Sequence, residues 1–201
     1  MDAQPVVVLL ATVVGPPPDA AVFAATLQSV LASGLPRVVV ASPASAQAAA
    51  QVVGAQDVVA MTEVDPQTSG GAGAAMAAGV MARPHAPGWV FLPAGMAAVR
   101  PATLRAVAAA LAEYPIVYAQ CRGQRGQPVA FSGEMYSELV ALRGDDAARR
   151  LLARFAAQAV EVDDAAVAIE PAGLSVWSVA RAPAMSPALA VPSSAGPPSA
   201  A

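Results

Sequence analysis

The sequence predicts an α/β protein: a three-layer sandwich in which helices cover both faces of a mainly parallel sheet. Three observations carry that prediction. Short apolar runs without polar alternation, such as Val6 to Ala11 and Arg37 to Ala41, read as strands buried on both faces. Helical stretches separate these runs at the spacing of βαβ units. The chain has 201 residues and 56% hydrophobic content, enough for one domain with a sizeable core.

Taken in order, Val6 to Ala11 is the first strand, and Gly15-Pro16-Pro17-Pro18 breaks the chain after it. Asp19 then caps a helix through Leu31 that stops at Ser33-Gly34, glycine being the usual left-handed terminator. Arg37 to Ala41 is a second strand, and Ser42 to Val53 is an Ala/Gln-rich helix stopped at Gly54. Asp57 to Met61 is a third, weaker strand. The polar stretch Thr62 to Ser69 delivers Gly70-Gly71-Ala72-Gly73 to a helix through Met81. The central strand, Trp89 to Leu92, follows the surface connection Arg83 to Pro87.

After that strand comes a small-residue loop, Pro93 to Ala98, and a helix from Pro101 to Glu113. Proline is tolerated at a first helical turn because its missing N–H has no partner there anyway. The loop after a buried parallel strand lies at the carboxyl edge of the sheet, where ligands bind, and this one contains no Asp, Glu, His or Lys. Ile116 to Ala119 is a fifth strand, Gln120 to Gln127 a Gly/Arg-rich loop, and Pro128 to Phe131 a short strand ending at Ser132-Gly133. Helices are expected over Glu134 to Leu142 and Asp145 to Ala157, with Asp145 capping the second. Val160 to Val162 and Val167 to Ile169 read as short edge strands around an Asp163-Asp164 turn. The domain therefore spans residues 1–180, and residues 181–201, rich in Pro, Ala and Ser, are expected to form a disordered tail outside the core.

Composition removes several functions. Charged residues make up only 12% and the net charge is −3. All 11 basic residues are arginine, which excludes a P-loop lysine, a Schiff-base lysine and a lysine clamp on a triphosphate. No basic patch is large enough to neutralise several phosphates of a nucleic acid. A single Cys121 excludes a disulfide framework and fits a reducing compartment. A single His85 excludes a multi-His metal site within one chain. Pro5 to Val14 lacks the positive flank of an export signal, and no segment reaches the roughly twenty apolar residues of a membrane span. A cytoplasmic soluble protein is the expectation.

Three stretches carry most of a family resemblance. Gly71-Ala72-Gly73-Ala74-Ala75-Met76-Ala77-Ala78-Gly79 is followed by Gly88-Trp89-Val90-Phe91-Leu92-Pro93 and Val99-Arg100-Pro101-Ala102-Thr103-Leu104. They resemble the G-M-G-x-S-L-x-x-G helix start and the L-x-D-M-P-x-V-x-P strand-loop-helix of the MobA-like nucleotidyltransferases, which include the molybdenum-cofactor cytidylyl- and guanylyltransferases. Thr26 to Leu35, Gly126-Gln127-Pro128-Val129 and Leu142 to Arg149 are also similar, so the resemblance covers about residues 5 to 170. It implies a Rossmann-like sheet, an NTP donor, Mg²⁺ and a phosphorylated pterin acceptor. It also implies a Gly-rich loop whose Arg and Lys neutralise phosphate charge, and two Asp residues that hold the metal.

The chain departs from that pattern where charge is needed. The L-x-A-G-x-x-x-R-x-G-x-x-K loop is reduced to Leu10-Ala11-Thr12-Val13-Val14-Gly15, without Arg or Lys. Gly95 stands where D-M-P has its Asp, Ala75 replaces the helix-start Ser, and Gln127 replaces a His common in G-H-P-V. Glu170-Pro171-Ala172-Gly173 takes the place of a D-I-D-T-P metal segment. No catalytic residue and no metal ligand is assigned.

The resemblance places nucleotide contacts at Leu10, Ala11, Thr12, Gly15, Gly71, Gly73 and Gly95, largely through backbone groups. Gly71 and Gly73 present a helix start to an anion or form a tightly packed turn. Gly95 lines an empty nucleotide pocket or closes a former one. Arg122 and Arg125 hold an acceptor-side anion or are solvated surface charges. Glu170, Asp163, Asp164, His85 and Cys121 are expected to have no catalytic role. Two functions follow. One is a non-catalytic relative that binds a nucleotide, a molybdopterin-type cofactor, or a molybdoenzyme or its maturation factor, and this is preferred. The other is an active cytidylyltransferase moving CMP from CTP to molybdopterin, with Mg²⁺ and CTP or GTP as cofactors; otherwise none is implied.

Overall fold

The computed structural model describes residues 4–11, 19–61, 71–144 and 147–169. Seven strands form one sheet: β1 (Val6–Ala11), β2 (Arg37–Ala41), β3 (Val58–Ala60), β4 (Gly88–Pro93), β5 (Ile116–Cys121), β6 (Gln124–Ser132) and β7 (Gln158–Glu161). Their order is β3-β2-β1-β4-β6-β5-β7. β1 pairs in parallel with β2 and β4, β2 with β3, and β5 with β7. Only β6 runs the other way, antiparallel to both β4 and β5. Six strands therefore end at one carboxyl edge. Leu10 lies opposite Pro93 there, so β1 and β4 end side by side.

Alternation sorts the strand residues between two cores. Val7 and Leu9 pack beneath α1 (Ala20–Ser33), α2 (Pro43–Val53) and α4 (Pro101–Ala110), against Leu27, Ala49 and Leu104. Val6, Val8 and Leu10 pack beneath α3 (Gly71–Ala82), α5 (Tyr136–Val140) and α6 (Ala147–Arg154), against Met76, Leu139 and Leu151. The helix signals act as the sequence implied. Asp19 accepts from the Ala21 and Val22 N–H groups at 2.8 and 3.4 Å, Gly34 ends α1 at φ 73°, and Ser42 accepts from the Ser45 N–H at 3.4 Å. No helix among the described residues is long and apolar enough to cross a membrane.

Four expectations need correction. The Gly/Arg-rich stretch Gln120 to Gln127 is not a loop but the tip of a β5–β6 hairpin, with Gln120 opposite Arg125 and Cys121 opposite Gln124. Its two-residue turn, Arg122-Gly123, takes positive φ at both positions (50° and 76°), the geometry that matches the twist of paired strands. Polar rim residues here join the ladder because cross-strand pairing, not burial, decides their conformation. Val167 to Ile169 is not an edge strand. The Asp164 carboxylate accepts from the Ala166 N–H at 3.2 Å and starts a 3-10 turn over Ala165–Ala168 instead. The helix expected over Glu134 to Leu142 is a 3-10 turn (Gly133–Met135) followed by the single short helix α5. The third strand is shortened to β3 by a 3-10 turn over Ala55–Asp57. Asp145 as a cap, Thr62 to Ser69, and residues 170–201 with the tail all lie outside the described residues.

Candidate functional site

The carboxyl edge gathers the segment after β4, the start of α3, the β5–β6 hairpin tip and the turn after β7. The segment after β4 is fastened at several points. Its Ala94 N–H donates to the Leu10 carbonyl at 2.9 Å. The buried Thr26 hydroxyl of α1 lies 2.9 Å from the Ala94 carbonyl and 2.8 Å from that of Val22. Ser29, one turn further along the same helix face, donates to the Val99 carbonyl. Met96 and Val99 are buried, and Gly95 is half-buried between them and Ala94. This segment presents Ala94, Gly95 and Ala97 with engaged backbone groups.

Asp164 fastens the far end. It is 3% exposed, and its Oδ2 accepts from the Arg100 backbone N–H at 2.8 Å and from the Thr103 hydroxyl at 2.6 Å. Oδ1 takes the Ala166 N–H, and the Arg100 guanidinium donates to the Asp163 carbonyl at 2.9 Å. A carboxylate at the N-terminus of α4 satisfies donors that the helix itself cannot. The Asp163-Asp164 pair is thus a turn, as expected, but Asp164 also organises the site. Sequence reasoning missed this because two of its donors, Arg100 and Thr103, lie 64 and 61 residues away.

At the start of α3, Gly71 has φ 45°, and the Gly73 N–H donates to the Gly144 carbonyl at 3.2 Å. One of the helix-start N–H groups is therefore engaged within the chain. Leu10 and Ala11 are buried, so only their backbone faces the edge; Thr12 and Gly15 lie outside the described residues. At the hairpin, Glu161 accepts from the Arg122 backbone N–H at 2.5 Å and from the Gln120 amide at 2.9 Å. The Arg125 guanidinium stacks 4.9 Å from the centroid of the Tyr118 ring. Among the described residues, neither guanidinium pairs with a carboxylate. Gln127, two residues along β6, is 4% exposed, and among the described residues its amide oxygen has no hydrogen-bond partner. His85 is exposed and Cys121 buried, both away from any cluster of like groups. Among the described residues, no three His, Cys, Asp or Glu side chains come together to hold a metal ion.

A parallel sheet with one reversed strand defines a mainly parallel α/β fold, in which ligands bind outside the carboxyl ends of the strands. The chain belongs to the family of the MobA-like NTP transferase domain, whose model matches residues 18–162. It is 27% identical to Rv0371c of Mycobacterium tuberculosis H37Rv in that protein's manganese complex, with a TM-score of 0.66 over 81% of this chain and 89% of that one. Against Rv0371c in a second crystal structure the identity is 26% and the TM-score 0.64, over 81% and 90%. A nucleotidyl transferase from Methanothermobacter, 18% identical with a TM-score of 0.57 over 80% and 88%, shares the fold. So does a CMP:2-keto-3-deoxy-manno-octonic acid synthetase complexed with CTP, 9% identical with a TM-score of 0.57 over 79% and 90%. No curated protein matches the sequence.

Proposed function

We propose that this chain is a nucleotide-binding member of the MobA-like family that has lost the transfer step. One observation carries the proposal. The segment after β4 has Gly95 at the place of the family's carboxylate, and the one buried carboxylate among the described residues, Asp164, already serves three protein donors. Phosphoryl transfer depends on positioning and on neutralising charge on the phosphate oxygens. A single preorganised electrostatic contact is typically worth about 2.7–4 kcal/mol of barrier. The chain lacks the Arg and Lys of the first loop as well as this carboxylate, so the combined loss is several such contacts. Backbone recognition of a nucleotide needs none of them.

The donor-set chemistry fits a divalent cation only if it arrives on the nucleotide, held mainly by phosphate oxygens as Mg²⁺ often is. In this reading Arg122 and Arg125 face the acceptor side and hold an anion there, such as the phosphate of a molybdopterin-type cofactor. The protein acts in the cytoplasm beside a molybdoenzyme or its maturation factor. The family resemblance supports those last assignments. The alternative is an active cytidylyltransferase using CTP and Mg²⁺; the manganese complex of a protein 27% identical favours it. Calorimetric titration with CTP and with GTP, each with and without Mg²⁺, separates the two. Weak binding that changes little with Mg²⁺ is expected. Tight binding that requires Mg²⁺ would speak for the enzyme.

A further inference from the structure

We infer that the outer face of α1 and α2 is where two copies of this chain associate. The inference does not depend on the nucleotide reading, because this face belongs to a helical layer and not to the carboxyl edge.

The starting point is how charge is distributed over the helices. α1 and α2 are 14 and 11 residues long and contain no Asp, Glu, Lys, Arg or His. Their exposed positions include Ala24, Ala25 and Gln28 on α1 and Gln47, Gln51 and Val52 on α2. α4, the third helix of the same layer, adds only Arg105. On the opposite layer, the shorter α5 and α6 carry Glu138, Arg149, Arg150 and Arg154. Surface helices ordinarily turn charged residues of both signs to water. α1 and α2 turn none.

The two ends of α1 select the occupant. Asp19 is exposed and caps the N-terminus. At the other end, the exposed Arg105 reaches the Ala32 and Ser33 carbonyls at 3.5 Å. Among the described residues, neither Asp19 nor Arg105 has an oppositely charged partner. The helix between them is about 21 Å long, at about 1.5 Å per residue. An acid at one end, a base at the other and an uncharged middle make this face complementary to itself.

A two-fold axis through the middle of α1 packs the helix antiparallel on its counterpart. Each Asp19 then meets the other copy's Arg105, and the same contact is made twice, as an isologous interface requires. The positive end of each helix dipole lies beside the negative end of its neighbour. A partner with charges at the centre of its own face would bury them there without counter-ions, which is costly. A second copy buries none.

The test is sedimentation of the full chain, 19.9 kDa per copy, over a range of concentrations. The contact is small, two helices from each copy, so a dimer with a micromolar dissociation constant is expected, well populated at about 100 µM. Ala25→Glu sets two carboxylates against each other near the two-fold axis and should weaken the dimer about 100-fold or more. Its far-ultraviolet dichroism should match the parent's, because glutamate is a good helix former at an exposed position. Ala153→Glu, at an exposed position of α6, should leave association unchanged. Asp19→Asn keeps the cap and Arg105→Gln keeps most of the side chain. Each should weaken the dimer about fivefold and flatten its salt dependence. A chain that stays monomeric at about 100 µM would overturn the inference. So would a dimer that Ala25→Glu leaves intact, because the contact would then lie elsewhere, for instance on the free edge of β3. Neither outcome bears on the CTP and GTP titrations, so failure here and failure of the nucleotide reading are separable.

Discussion

Gly126→Ala should destabilise the protein by about 3 kcal/mol, because the added carbon has nowhere to go. Built on the backbone, it would lie 1.7 Å from the Val167 carbonyl oxygen and 2.3 Å from the carbonyl carbon. These are main-chain atoms, so no rotamer change relieves the contact. The 3-10 turn Ala165–Ala168 would have to lift away from β6. That turn is tied to Asp164 through the Ala166 N–H, so its displacement also strains the clasp on α4. For a domain of this size, each kcal/mol moves the melting temperature by about 2–4 °C, so a fall of about 6–12 °C is expected in thermal unfolding. A fall of one or two degrees would mean that the turn does not pack on Gly126 as described.

Asp164→Ala should cost a similar amount, about 3 kcal/mol. A buried carboxylate that serves two N–H groups and a hydroxyl leaves all three without an acceptor when it is removed. Asp164→Asn should recover part of the loss, since its amide oxygen can still accept. The same turn carries both effects, so the double variant Gly126→Ala/Asp164→Ala should unfold at less than the sum of the two costs. Full additivity in denaturant unfolding would show that the contact and the clasp are independent. Both changes also release the end of the segment after β4 at Arg100, so nucleotide affinity should fall with stability.

How much of this could be read from the sequence depended on what fixes each residue. β1, β2 and β4 were legible because continuous β-branched and aromatic runs buried on both faces suit parallel central strands. Asp19, Gly34 and Ser42 were legible because caps act within one turn. The β5–β6 hairpin tip was not: its Gln and Arg residues are paired across strands, and polarity alone made them look like a loop. Asp164 was legible as a turn residue but not as the clasp of α4, because Arg100 and Thr103 are brought to it only by the fold. Gln127 stood out in the sequence only as a substitution for histidine. Its unmet acceptor emerges only once its burial is known. Gly95 was the opposite case, an absence visible in the sequence alone, and the surrounding hydrogen bonds explain how the segment holds its shape without a ligand side chain.

The most direct test of the central claim is pyrophosphate release from CTP and from GTP, with Mg²⁺ or Mn²⁺ and molybdopterin as acceptor. The account predicts no release above background for the natural sequence. Gly95→Asp alone should not restore it, because the segment Leu10 to Gly15 would still lack its Arg and Lys. Metal-dependent release by the unmodified protein, abolished by Arg122→Ala or Arg125→Ala, would contradict the account and place the missing charge on the hairpin.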